Sequence, residues 1–426
     1  MVMPFRIRDI KARQIFDSRG NPTVEVTTIL GGGGRGTFSV PSGASRGEKE
    51  ALELRDGGKF LHGKGVLRAV RNVNEVIRPA LLGKDASNQF LIDKILLELD
   101  GTPNKSRIGA NAILGASVSA AKATANQLGI PLYRYLGGVR AGTLPVPFMN
   151  VINGGVHAGN DLKVQEFMIV PAAFKTFKEA LFAGVQVYMD LRNLLRSKYG
   201  RASTNVGDEG GFAPPMSRTR EALDVLLEAI SIAGYEGEVF LALDCAANEF
   251  YDKERGKYII DGVERNSGEL IDFYKDLISV YPIVSIEDPF HEGDWESLAE
   301  FTREMGNRIQ IVGDDFFVSN PEFLRKGIEL GAANALLLKV NQIGTLTEAL
   351  EAADLAMKSG YSVMVSHRSG ETTDSFIADL AVALNSGQIK TGAPARGERV
   401  AKYNRLLEIE EELGPTARFP SLSRGT

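Results

Sequence analysis

The chain has 426 residues, a formal net charge of -5, and is 43% hydrophobic, 24% charged and 8% aromatic, an ordinary globular composition with enough length for two domains. It contains no long run of lysine or arginine, which argues against nucleic acid or an anionic membrane as the main partner. Its one cysteine, Cys245, excludes an internal disulfide framework and a cysteine-based zinc site, and suits a reducing compartment.

The N-terminus, Met1 to Arg6, lacks the apolar core of a signal peptide, and no apolar stretch approaches the roughly 20 residues that span a bilayer. A cytoplasmic protein is expected. Residues 7–40 read as an antiparallel meander: a strand to Phe16, a turn through Asp17-Ser18-Arg19-Gly20-Asn21-Pro22, a strand from Thr23 to Leu30, and a third near Thr37 to Val40. The four glycines Gly31 to Gly34 lie between two strands and lack the Lys-Ser/Thr ending of a phosphate loop, so they read as a hairpin turn. Pro41 to Gly47 is small and flexible, either a connection or a flap able to close on an anion. Helical periodicity covers Val66–Leu82, Asn88–Leu99 and Ala110–Leu128. Breaks at Gly129-Ile130-Pro131 and Gly137-Gly138 put a domain boundary near residue 138, giving an N-terminal α+β domain (1–138) and a second domain (139–426).

The second domain opens on two strand-like runs, Leu144–Ile152 and Val164–Pro171, separated by the glycine-rich Asn153 to Asn160. That spacing is too short for a crossover helix, so the pair should be antiparallel. After a helix near Phe174–Tyr199, runs that read as buried strands alternate with helices, and each run ends in a polar group: Asp244, Glu287, Asp314, Lys339, His367 with Arg368, and Lys390. The intervals suit an eight-fold α/β barrel of the TIM type with an antiparallel first strand pair, whose parallel strands bring their ends to one face. A charged helix, about Glu398–Leu413, should close the fold and the tail from Gly414 should be loose.

Asp244, Glu287 and Asp314, from three strand ends, can supply hard oxygen ligands to one divalent cation such as Mg²⁺ or Mn²⁺; the plain alternative is three separate ion pairs. Lys339, at the end of the apolar run Ala333–Leu338, either snorkels to solvent or serves as a base, with neighbouring cations lowering its pKa. Glu166 and Glu209 can share a proton and provide a general acid, or merely hold their glycine-rich loops. Arg368, Ser369 and Lys390 offer donors to an anion. His157 lies in the glycine-rich segment and reads as a site residue, whereas His62 and His291 read as surface residues. A lysine and a paired acid on opposite sides of a metal-held carboxylate would permit abstraction of the alpha proton and expulsion of a beta hydroxide as water.

The motifs Asp17-Ser18-Arg19-Gly20-Asn21-Pro22, Gln165-Glu166-Phe167-Met168, Gly207-Asp208-Glu209-Gly210-Gly211, Glu287-Asp288-Pro289-Phe290, Leu336 to Gly344, Ser366-His367-Arg368-Ser369-Gly370-Glu371 and Lys390-Thr391-Gly392-Ala393-Pro394 resemble those of the enolase family from about Ile7 to Gly414. The resemblance implies reversible dehydration of 2-phosphoglycerate to phosphoenolpyruvate, a glycolytic and gluconeogenic step. It implies Lys339 as base, Glu209 as acid with Glu166 assisting, and Asp244, Glu287 and Asp314 as ligands of a first Mg²⁺. Ser42 matches a flap serine that meets a second Mg²⁺, which arrives with substrate. Gln165, Arg368, Ser369 and Lys390 match substrate contacts, and His157 and His367 match residues lining the site. It further implies a homodimer or an assembly of dimers, and leaves room for secondary macromolecule binding and a cell-surface presence. Arg46 departs from the family's flap pattern, where threonine is usual, and should alter flap closure or its salt dependence. Racemases and cycloisomerases of the same superfamily are the nearest rivals, but they resemble one another in a Lys-x-Lys where this chain has Lys163-Val164-Gln165. A non-catalytic use of the fold is disfavoured because every acid, base and ligand is in place.

Overall fold

The computed structural model describes residues 3–44 and 47–420, and for His157 the backbone alone; Arg46, singled out in the flap, lies outside the described residues. Strands β1 (Ile7–Phe16), β2 (Pro22–Leu30) and β3 (Arg35–Ser39) form an antiparallel sheet in the order β1-β2-β3. The first hairpin is set by Asp17, whose carboxylate accepts from the N–H groups of Arg19 and Asn21 at 2.8 and 2.9 Å, and by Gly20 at φ 74°. Gly31 to Gly34 turn the second hairpin as expected.

The helix Ala110–Leu128 lies on this sheet, and its alanine and serine content is explained by how closely the two approach. A Cβ on Gly36 would stand 2.2 Å from the backbone of both Ser119 and Ala123, and one on Gly115 would meet Val26 at 2.4 Å. The Thr28 and Ser119 hydroxyls, buried between the layers, pair at 2.8 Å. The helix expected over Val66–Leu82 contains a wide turn at Val73–Ile77 before its last segment, Arg78–Leu81. Pro79 accounts for that: it brings no N–H to the ladder and its ring crowds the preceding turn.

Eight strands then close a barrel: β4 (Val146–Asn153), β5 (Glu166–Pro171), β6 (Val239–Asp244), and, after a small separate sheet of β7 (Tyr251–Asp252), β8 (Lys257–Ile260) and β9 (Val263–Arg265), β10 (Ile283–Glu287), β11 (Gln310–Gly313), β12 (Ala335–Leu338), β13 (Ser362–Ser366) and β14 (Gln388–Lys390). The antiparallel first pair is present, and β5 runs against β6 as well, so it is the one reversed strand of the barrel. The barrel interior is filled by alternate residues of the strands, among them Val146 and Phe148, Met168 and Val170, Ala335 and Leu337. A pair of amides, the half-buried Gln310 and the buried Gln388, joined by two bonds of 2.9 and 2.8 Å, extends that filling. Residues of the opposite parity pack outward against the helices.

Three expectations need correction. The small sheet β7–β9 interrupts the regular alternation; its strands of two to four residues carry no period to read. The tail is not loose as far as Pro420: Leu144 donates to the Arg418 carbonyl at 2.7 Å, Arg418 donates to Gly142 at 2.9 Å, and Phe419 packs on the core. Beyond Pro420 the tail lies outside the described residues. His62 is exposed as expected, but His291 is half-buried with its ring stacked on Tyr251 at 3.9 Å.

Candidate active site

The strand ends bring the expected groups to one face. Asp244 ends β6, Glu287 ends β10, Asp314 follows β11, Lys339 follows β12, His367 and Arg368 follow β13, and Lys390 ends β14. The reversed strand explains how Glu166 joins them. Because β5 runs against its neighbours, its first residue lies at this face, directly opposite Asp244 in the ladder. Gln165, Glu166, Glu209, Asp244, Lys339, Ser366, His367, Arg368, Ser369 and Lys390 line one polar cleft.

Within the cleft the charges are paired in two groups. Lys390 Nζ lies 2.6 Å from Asp244 Oδ2, 2.9 Å from both oxygens of Glu287 and 3.4 Å from Glu166. Lys339 Nζ donates to Asp314 Oδ2, and Gln342 Nε2 donates to the other oxygen at 2.8 Å. The backbone N–H groups of Asp314 and Asp315 are in turn held at 2.8 and 2.9 Å by the carboxylate of Asp288, a residue at φ 41°.

Burial pushes the Glu287 carboxyl well up, and the charge of Asp244 adds to this while Lys390 opposes it. Glu166 is likewise raised well above its ordinary value, by burial first and then by Glu209, so it is disposed to carry a proton. Asp314 goes the other way: burial would raise it, but Lys339 outweighs burial and holds it down. Burial lowers Lys339, and the neighbouring cations Arg368 and Lys390 lower it as expected, but Asp314 and then Glu287 pull the other way and leave the ammonium raised above its ordinary value. Lys390 is raised for the same reason by Asp244, Glu166 and Glu287 against its burial.

Among the described residues, two groups of side chains have ligand atoms within 4.8 Å of one another, Glu166–Glu209–His367 and Asp288–Asp314–Asp315. The strand-end trio Asp244, Glu287 and Asp314 is instead bridged to the two lysine ammonium groups. That trio fits a hard divalent cation by its donors. Carboxylates from three neighbouring strand ends face one another, and two of them already close around a positive charge, that of Lys390.

Anion donors lie beside them. Arg368 is clamped by both oxygens of Glu50 at 3.0 and 3.1 Å and by Asn341 at 3.0 Å. Ser369 Oγ accepts from the Ala44 N–H at 2.6 Å. Ser42 donates to Glu53 Oε2 at 3.0 Å and its strand bridge with Gly370 ties the segment after β3 to the loop after β13. Glu209 Oε2 receives Asn150 Nδ2 at 3.0 Å and faces His367 Nε2 at 3.5 Å. Gln165 Oε1 and Glu166 Oε2 are buried without a hydrogen-bond partner, which leaves two acceptors turned into the cleft for a bound molecule. Sequence reasoning missed Glu50, Asn150 and Arg399, whose roles depend on contacts between distant segments. Asp288 and Gln342 sat inside quoted motifs and could have been found there.

Fold and cleft together define an α/β-barrel protein whose strand-end acids and lysines line one small polar cleft. Residues 7–136 match the family model described as enolase, N-terminal domain, and residues 141–424 match enolase, C-terminal TIM barrel domain. The chain is 64% identical to the enolase of Methanopyrus kandleri over 97% of both chains. It is 63% identical to that of Methanocaldococcus jannaschii over 96% of both, and 62% identical to that of Pyrococcus furiosus over 97% of this chain and 96% of the relative. The chain belongs to the enolase family.

Proposed function

We propose that this chain is a hydro-lyase that dehydrates 2-phosphoglycerate reversibly to phosphoenolpyruvate and water, the step shared by glycolysis and gluconeogenesis. The observation that carries the reading is the cleft itself, in which Lys339 and the Glu166/Glu209 pair line the same space with Arg368, Ser369 and two unpartnered acceptors. Lys339 removes the proton from the carbon alpha to the carboxylate, and the electron pair moves into the carboxyl group. The electron pair then returns to form the carbon–carbon double bond as the bond from the beta carbon to its hydroxyl breaks, and Glu209 passes the proton it shares with Glu166 to that hydroxyl, which leaves as water. For Lys339 to start as a free amine, the charge of Asp314 must be engaged by another cation, since it is Asp314 that holds the ammonium protonated.

Asp244, Glu287 and Asp314 would hold a divalent cation, Mg²⁺ in this reading, and Ser42 a second that comes with the substrate phosphate. When bound, these ions supply electrostatic stabilisation for the charge that accumulates on the carboxylate. Gln165, Arg368, Ser369 and Lys390 bind and orient the substrate, with His157 and His367 alongside. The reading carries with it two domains, 1–138 and 139–426, a homodimer or an assembly of dimers, and a cytoplasmic location. Among the described residues no helix is long and apolar enough to cross a membrane.

The test is the absorbance of the conjugated enol product after 2-phosphoglycerate is added, with and without Mg²⁺, for the intact chain and for Lys339→Ala. The expected result is a Mg²⁺-dependent rise that the substitution abolishes. No rise in the folded, Mg²⁺-supplied intact chain sinks the reading.

A further inference from the structure

Helix Gly397–Leu413 carries two fully buried cations, Arg399 and Lys402, of which Arg399 reaches the cleft's loops. Arg399 is fully buried, and its guanidinium reaches across the barrel mouth to two loops at once. It donates to the carbonyls of Arg368 and Ser369, each at 2.6 Å, and to the Asp208 carbonyl at 3.1 Å. One nitrogen, Nη1, lies 2.5 Å from Nδ1 of the buried His367. Space for its stem is kept by Gly392 at φ +83°, where a Cβ would stand 3.0 Å from Arg399 Cδ and 2.8 Å from the Glu209 carbonyl.

A guanidinium has only donors and keeps its protons. The imidazole nitrogen facing it must therefore be the acceptor, and a neutral ring then carries its proton on the other nitrogen, Nε2. Nε2 lies 3.5 Å from Glu209 Oε2 without closing a hydrogen bond, and that oxygen already receives Asn150 Nδ2 at 3.0 Å. We infer that Arg399 is a positioning residue that fixes His367 as the neutral Nε2–H tautomer, so that His367 directs an N–H rather than a lone pair at the Oε2 oxygen of Glu209. Burial, to which Arg399 adds and which Glu209 opposes, pushes the imidazole down to about 4 and keeps the ring neutral over the working range. The same tautomer removes Nε2 from metal ligation, so the Glu166–Glu209–His367 group serves proton transfer and not cation binding. Two loops far apart in sequence thereby share one orienting group, and the acid's geometry is set from the last helix of the fold.

The catalytic consequence rests on the reading of Glu209 as the acid, but the tautomer can be observed without turnover. The chain has four histidines, so ¹⁵N-histidine spectra are tractable, with His367→Gln identifying the signal. Intact protein should show His367 with a protonated Nε2 and an unprotonated Nδ1 that does not titrate between about pH 6 and 9. An Nδ1–H ring, or a ring that titrates in that window, overturns the inference. So does loss of the Nε2 proton on adding Mg²⁺, which would make His367 a ligand. Arg399→Met should release the tautomer and lower kcat roughly a hundredfold with a much smaller change in KM, and Arg399→Lys, which keeps a donor, should restore part of both. If Arg399→Met loses activity while the His367 signals stay unchanged, the residue is merely structural and the inference fails. Absence of turnover in intact protein would sink the functional reading while the spectra still decided the tautomer.

Discussion

Gly392 shows how much a single backbone position carries here. It lies two residues after Lys390, at φ +83°, with the Glu209 carbonyl 2.8 Å and the Arg399 stem 3.0 Å from where a Cβ would be. An alanine would be strained by its φ and would press on both the Glu209 loop and the stem of Arg399. Gly392→Ala should lower stability by about 1–3 kcal/mol and lower kcat by more than that loss of folded protein explains. Urea denaturation alongside kinetics at saturating substrate would check this; an alanine variant with unchanged denaturation midpoint and kcat would refute it. The residue scale is also where the sequence is least explicit. Arg399 stands in a helix rich in Glu, Lys and Arg, where nothing local separates a buried guanidinium from solvated ones. The charge state of Lys339 depends on Asp314, some 25 positions away in the chain, so no window around the lysine could have given its sign.

Elements were far more legible than residues, for a physical reason. The strands β6 and β10 to β14 are short and apolar, each ending in a polar group, and that pattern survives in the sequence because burial on both faces demands it. The short spacing between β4 and β5 likewise forced an antiparallel pair, and with it the delivery of Glu166 to the site. The sheet β7–β9 escaped because its purpose is to steady a loop, not to fill a core: the Tyr258 hydroxyl joins Asp294 at 3.0 Å and accepts from the His291 N–H at 3.3 Å just after the Glu287 strand. At this scale the contact of β3 with helix Ala110–Leu128 makes a sharp prediction. A methyl at Gly36 would meet backbone atoms of Ser119 and Ala123 at 2.2 Å, and backbone cannot yield as a rotamer can. Gly36→Ala should cost roughly 1–3 kcal/mol by overpacking, read as a lower urea midpoint. A cost below about 0.5 kcal/mol, typical of a neutral surface change, would mean that sheet and helix separate easily.

The whole molecule is organised so that the N-terminal part completes the barrel's face. Ser42, Ala44 and Glu50 all follow β3; Ala44 and Glu50 bond to Ser369 and Arg368 of the loop after β13, and Ser42, held by Glu53 of its own segment, bridges to Gly370 of that loop. In the cleft, Lys390 is the cation paired with Asp244 and Glu287, both buried. Removing one partner of a buried ion pair leaves uncompensated charge, at a cost of about 3–5 kcal/mol. Lys390→Met should therefore unfold at lower denaturant concentration than the intact chain when EDTA is present. A divalent cation that binds the same carboxylates stabilises the folded state through its binding free energy, and in the intact chain that binding competes with Lys390. In the variant it meets no competitor and restores charge balance that the substitution removed. The gain in unfolding free energy on adding saturating Mg²⁺ should thus be larger for Lys390→Met than for the intact chain, even though the variant has lost a proposed substrate contact. Urea titrations of both proteins, each with EDTA and with Mg²⁺, measure the four free energies directly. An equal gain in the two proteins would place the cation away from Asp244 and Glu287, and would take the proposed metal site with it.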